Sequence, residues 1–136
     1  MNIVLIEDNP ADQLLVREAL AAGQSTSQLH VIADGLEAIE FLRRRGKFSK
    51  SVRPDLILLD LNIPGRSGKE VLKEIKTDPH LAFIPVVVFS SSKSEKDVKE
   101  CYELHANSYI TKPIDLDEFF HTIKAIEHFW MRAAKA

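Results

Sequence analysis

Five residues of this chain have types and positions that could do chemistry together: Glu7, Asp8, Asp60, Ser90 and Lys112. Each stands at the end of a short apolar run. Ile3-Val4-Leu5-Ile6 leads into Glu7 and Asp8, and Leu56-Ile57-Leu58-Leu59 leads into Asp60. Val86-Val87-Val88-Phe89 leads into Ser90, and Tyr109-Ile110 comes just before Lys112. Three carboxylates drawn into one pocket repel one another unless a cation sits among them. Hard oxygen donors with open positions suit Mg²⁺, which takes one or two carboxylates, waters and a substrate phosphate. A metal, an ammonium and a hydroxyl around one carboxylate are the parts of a phosphoryl-transfer site. The cations neutralise the equatorial oxygens while the carboxylate attacks. Taken one at a time, these residues have plainer roles as turn formers, helix caps or a solvated cation. Their conjunction, each at the end of a strand, carries the information.

The elements between them set whether they meet. Continuous apolar runs of this length mark strands buried on both faces. A second strand is expected at Leu29–Ala33. Amphipathic stretches separate the runs. Asn9-Pro10 opens a helix as N-cap and first-turn proline, with Ala11, Leu15, Ala19 and Ala22 on one face. Asp34-Gly35 opens another, with Ala38, Phe41 and Leu42 inward. Arg43–Arg53 is polar and basic and is expected to be an exposed loop. Gly65 and Gly68 mark a loop before a helix carrying Val71, Leu72 and Ile75, which Asp78-Pro79 stops. A fourth helix is expected to carry Val98, Cys101, Tyr102 and His105 on one face. Asp115 caps the last helix, with Glu118 three residues on and Ile114 and Phe119 placed for a hydrophobic staple. Phe119, Ile123, Ile126 and Trp130 then line its inner face. Five strands alternating with five helices imply an α/β fold, a parallel sheet covered on both faces. Its functional groups gather at the carboxyl edge, where Glu7, Asp8 and Asp60 converge if the first and third strands are neighbours.

Composition narrows the classes. The chain has 136 residues, which suits one domain spanning 1–136, and no further output domain is expected. Eighteen Lys+Arg against twenty Asp+Glu give a net charge of −2, so no global basic field holds DNA or an anionic membrane. Cys101 is the single cysteine, which rules out an intrachain disulfide. No apolar run reaches the length of a membrane span, and a cytoplasmic location is the expectation. A flavodoxin-type FMN site is disfavoured, because Glu7-Asp8-Asn9-Pro10 would repel a phosphate. An aspartyl phosphatase would want a second acid two residues after Asp60, where Asn62 stands.

The pieces Leu5-Ile6-Glu7-Asp8, Asp55 through Pro64, Gly68, Pro85 through Ser90 and Tyr109-Ile110-Thr111-Lys112-Pro113 together resemble the receiver domain of two-component response regulators. The resemblance covers nearly the whole chain. It implies a doubly wound, flavodoxin-like sheet of strand order 2-1-3-4-5. It implies Asp60 as the aspartate that takes a phosphoryl group from a histidine kinase. Asp8 and Asp60 would bind Mg²⁺ through carboxylates, Asn62 through its backbone carbonyl, and Glu7 through a metal-bound water. Ser90 and Lys112 would hold phosphoryl oxygens, and Ser90 and Tyr109 would form the switch pair. A cis Lys112-Pro113 peptide would hold the lysine loop. The sequence departs from the family's pattern at Arg66, and at His105 where glycine is frequent before the fifth strand. A long loop through Arg43-Arg44-Arg45-Gly46-Lys47 and a last helix running through Glu127-His128-Phe129-Trp130 resemble the stand-alone regulators that partner bacterial phytochrome histidine kinases. That resemblance implies a homodimer through the last helices and the fifth strand.

Overall fold

The computed structural model describes residues 1–135. Its elements, in chain order, are β1 (Asn2–Ile6), α1 (Pro10–Ala22), β2 (Gln28–Ile32), α2 (Gly35–Leu42), β3 (Leu56–Leu59), α3 (Gly68–Thr77), β4 (Val86–Ser90), α4 (Glu95–Glu103), β5 (Ser108–Thr111) and α5 (Leu116–Lys135). All strand pairings are parallel, and the strand order is β2-β1-β3-β4-β5. The expected fold class and order are therefore present.

Alternation along each apolar run sorts side chains to the two faces of the sheet. Val4 and Ile6 of β1, Ile57 and Leu59 of β3, and Val86 and Val88 of β4 join one core with residues of α2, α3 and α4. Ile3, Leu5, Leu56, Leu58, Val87 and Phe89 join the other with residues of α1 and α5. Every residue of β3 is buried, as a central strand between two helical layers requires.

The helix starts follow their sequence signals. Asn9 Oδ1 accepts from the backbone N–H groups of Ala11 at 2.9 Å and Asp12 at 3.2 Å. Asp34 Oδ1 accepts from Leu36 and Glu37, and Asp115 from Glu118. The expected staple is not made. Phe119 is buried, but Ile114 is 96% exposed. Once the Asp115 side chain caps the helix, the chain enters along the rim of the sheet, and Ile114 faces solvent instead of packing back.

Three other expectations shift. The inner face of α1 is Leu15, Val16, Ala19 and Leu20 rather than one running through Ala11 and Ala22, because the larger Val16 and Leu20 bury more apolar area. The segment 43–53 is not wholly exposed. It contains a short 3₁₀ turn, Gly46–Phe48, whose Phe48 packs edge-on against Phe41 at 5.4 Å. On α4 only Cys101 is buried; Tyr102 is about half exposed, and His105 lies beyond the helix.

His105 adopts φ +70°, and its N–H donates to Tyr102 O while Ala106 N–H donates to Cys101 O. This is the paired closure of a helix C-terminus whose left-handed residue is usually glycine. The side chain there costs roughly 1 kcal/mol. His105→Gly therefore raises stability by about that amount, read as a higher midpoint in urea; a lower midpoint contradicts the reading.

Candidate functional site

Register delivers the acids. Ile6 pairs with Leu59, so the next residues, Glu7 and Asp60, leave neighbouring strands at one level. Asp60 N–H donates to Ile6 O at 3.0 Å, and Glu7 N–H donates to Ile32 O at 3.0 Å. Both side chains follow a residue that packs on the α2–α4 side, so both turn to the opposite face of the sheet, the one covered by α1 and α5. One carboxylate oxygen each from Glu7, Asp8 and Asp60 lies within 4.8 Å of the others. Glu7 and Asp60 are buried, and Asp8 is exposed. The three acids expected to converge do converge.

Lys112 enters from the end of β5. Its Nζ lies 2.5 Å from Glu7 Oε1, 2.7 Å from Asp12 Oδ2 and 3.2 Å from Asp60 Oδ2. Its side chain is 8% exposed. Asp12, which the sequence reading did not place here, thus joins the site. The signal for it was available: Asn9 caps α1, so Asp12 sits in the first turn of a helix that starts at the carboxyl edge. The Lys112–Pro113 peptide is trans, since no cis peptide occurs among the described residues. That corrects the expected cis bond. An X–Pro bond favours trans by about 0.5–1 kcal/mol, and here the lysine reaches three carboxylates without the cis form.

Asp60 Oδ1 accepts from Asn62 N–H at 3.4 Å. Asn62 is exposed beside it. The loop then folds back tightly: a Cβ on Gly68 would lie 2.4 Å from Asp60 O and 2.5 Å from Leu61 Cα, so only glycine fits where α3 starts. Arg66 pairs with Glu74 of α3, which gives the departing residue a structural task on the loop after Asp60. Ser90 is fully buried at the end of β4, and its Oγ accepts from Ser92 N–H at 3.3 Å. Tyr109 is half-buried, and its hydroxyl donates to Ser92 O at 2.8 Å.

The electrostatics are those of an acid-rich pocket with one cation. Burial pushes Glu7 up to about 7, which its bonds to Lys112 and to Asn9 N–H only partly offset. Burial alone would lower Lys112, but its bonds to Asp12 and Glu7 outweigh that and hold the ammonium charged well above its usual range. The donor set fits a hard divalent cation: carboxylate oxygens on one side, an exposed acid towards solvent, and no sulfur or imidazole in the cluster. A cation bound there must compete with the proton on Glu7. Affinity for Mg²⁺ is therefore expected to fall as pH drops from 8 to 6, with proton release on binding, and to fall at all pH values in Asp8→Ala. Calorimetric titration in buffers of different ionisation enthalpy checks both; unchanged affinity in Asp8→Ala removes that residue from the metal shell.

The response regulator receiver domain family matches residues 3–124 of the chain. The chain is a response regulator receiver domain. This receiver is 47% identical over 129 residues to the response regulator Rcp1 of Synechocystis sp., covering 95% of this chain and 88% of that protein. A crystal structure of the phosphorylated cyanobacterial phytochrome response regulator RcpA superposes with a TM-score of 0.92 at 49% identity, over 96% of this chain and 93% of that one. The Mn²⁺-bound form of Rcp1 superposes at 0.89 with 47% identity, over 95% and 93%. No helix among the described residues of the receiver is long and apolar enough to cross a membrane.

Proposed function

We propose that this receiver takes a phosphoryl group on Asp60 from a histidine kinase of phytochrome type, with Mg²⁺ bound by Asp8, Asp60 and the Asn62 carbonyl and with Glu7 holding a metal-bound water. The observation that carries the reading is one buried ammonium, Lys112, shared by Glu7, Asp12 and Asp60 next to the triplet of carboxylates. Relatives described as a phosphorylated phytochrome response regulator and as an Mn²⁺-bound regulator support it.

In the transfer, an Asp60 carboxylate oxygen attacks phosphorus, an O–P bond forms, and the N–P bond to the kinase imidazole breaks. The divalent ion, when bound, neutralises charge on the phosphoryl oxygens. Lys112 supplies a second fixed positive charge on the Oδ2 side of Asp60. In turning to a phosphoryl oxygen it would exchange one anionic partner for another. Ser90 offers its hydroxyl to a third oxygen from the neighbouring strand. These groups make the receiver a participant in its own phosphorylation and dephosphorylation rather than a passive acceptor. Ile114, two residues beyond Lys112, is 96% exposed at the same edge of the sheet. Transfer of labelled phosphate from a phytochrome histidine kinase to this chain tests the partnership; acceptance from unrelated kinases at equal rate overturns it.

The assembly we favour is a homodimer through α4, β5 and α5. β5 is one of the two edge strands, and Ile110, Ile126, Phe129 and Trp130 line a groove of about 420 Å³ beside it. Trp130 is half-buried against the core, whereas Phe129, edge-on to it at 4.9 Å, is 62% exposed. A second copy with the same stripe would cover Phe129 by two-fold symmetry. Sedimentation of wild type against Phe129→Ala, Trp130→Ala tests it; a wild type that stays monomeric at tens of micromolar, phosphorylated or not, removes the dimer.

A further inference from the structure

Ser92 is the meeting point of four contacts, and only two of them belong to the switch pair already described. Its N–H donates to Ser90 Oγ, and its carbonyl accepts from the Tyr109 hydroxyl at 2.8 Å. Its own hydroxyl donates to Asp97 Oδ2 at 2.5 Å, and its Oγ accepts from Ser94 N–H at 3.3 Å. Asp97 lies in the first turn of α4, where its N–H donates to the capping Ser94 Oγ. Its second oxygen, Oδ1, accepts from Lys69 Nζ at 2.6 Å. Lys69 is the second residue of α3, directly after the Gly68 that packs on the Asp60 carbonyl. Lys69 Nζ also reaches Glu100 Oε2, one turn along α4, at 2.6 Å. The three side chains are only 27–38% exposed.

We propose that Lys69 is a positioning residue: through Asp97 and Ser92 it latches the β4–α4 loop in its resting place and so sets how readily Ser90 moves onto the phosphoryl group. The inference rests on Asp60 being the acceptor. The loop Ser90–Ser92 has a single hydroxyl, that of Ser92, bonded to α4, and that bond ends on a carboxylate that Lys69 fixes to α3. If Ser90 is drawn towards Asp60, Ser92 must move with it. Asp97 cannot follow while Lys69 holds it from one side and the α4 backbone from the other. The latch thus stabilises the resting state alone, and a ligand that favours the other state must work against it. Lys69 is raised by its bonds to Asp97 and Glu100, and both acids are lowered by Lys69, so the ions stay charged across the physiological range.

The test uses beryllium fluoride as the phosphoryl mimic, titrated by calorimetry into the full chain at saturating Mg²⁺. Lys69→Met and Ser92→Ala are each expected to bind it three- to tenfold more tightly than wild type. Lys69→Arg, which keeps the charge pair, is expected to match wild type. The Lys69→Met, Ser92→Ala double variant is expected to be no tighter than the tighter single variant, because both open one latch. A lysine that merely supports the fold would leave affinity unchanged or weaken it. Equal or weaker binding in both single variants, each with native circular dichroism, overturns the latch. A wild type that does not bind beryllium fluoride overturns the assignment of Asp60 instead, and the latch with it.

Discussion

Asp60→Asn is expected to take up no phosphoryl group from either a kinase or acetyl phosphate, while remaining folded. The amide matches the carboxylate in volume, so the buried space at the end of β3 is filled as before. Its oxygen and nitrogen are poor nucleophiles, and neither is a strong ligand for a hard cation. Stability is expected to hold or rise slightly in the metal-free protein, because the change removes one of the like charges crowded around Lys112. The two readouts separate site from fold: a radiolabel assay for transfer, and urea unfolding for stability. Normal labelling of the variant would falsify the assignment.

Lys112→Met is expected to be the most damaging substitution for the fold, by about 3–5 kcal/mol at pH 8, the usual cost of leaving buried charge without its partner. Glu7, Asp12 and Asp60 would then face one another with no cation among them. The loss depends on pH through Glu7. In the wild type its folded value is raised, from 4.5 to about 7, so the folded state holds a proton that the unfolded chain releases. That contribution is complete below the unfolded value and disappears as pH rises through about 7. Removing the ammonium strengthens the tendency, so the deficit of the variant is smaller at pH 6 than at pH 8. Millimolar Mg²⁺ should recover part of it, since the ion supplies the missing positive charge. Thermal melts at the two pH values, with and without Mg²⁺, check the pattern; a deficit that ignores both pH and metal would mean that the methylenes of Lys112 matter and its charge does not.

The parts of the site that were legible in the sequence share one property. Glu7, Asp8, Asp60 and Ser90 end, or directly follow, strands whose apolar runs fix their positions, and a parallel sheet then brings such ends together. Lys112 was placed the same way, just past β5. What escaped the sequence depends on side chains that reach between elements. Asp12 has a local signal, its place in the first turn of α1 at the carboxyl edge, but its bond to Lys112 spans 100 residues. The Lys69, Asp97 and Glu100 cluster joins residues 28 and 31 positions apart, which no local pattern announces. The staple at Ile114 failed for the opposite reason: the local pattern was present, but the path of the chain out of the lysine loop decided against it. The cis bond before Pro113 came from resemblance alone, and nothing local to those residues requires it.

The lysine contacts also bear on how the protein is made. Lys112 is separated from Glu7, Asp12 and Asp60 by 105, 100 and 52 residues. A chain emerging from the ribosome presents these three acids well before the ammonium that pairs with them. The half-finished sheet β2-β1-β3 would carry an uncompensated negative rim, and closing it early would be opposed by its own charge. Docking of β5 both completes the edge of the sheet and removes that opposition, so the last strand to be synthesised is the one that makes closure favourable.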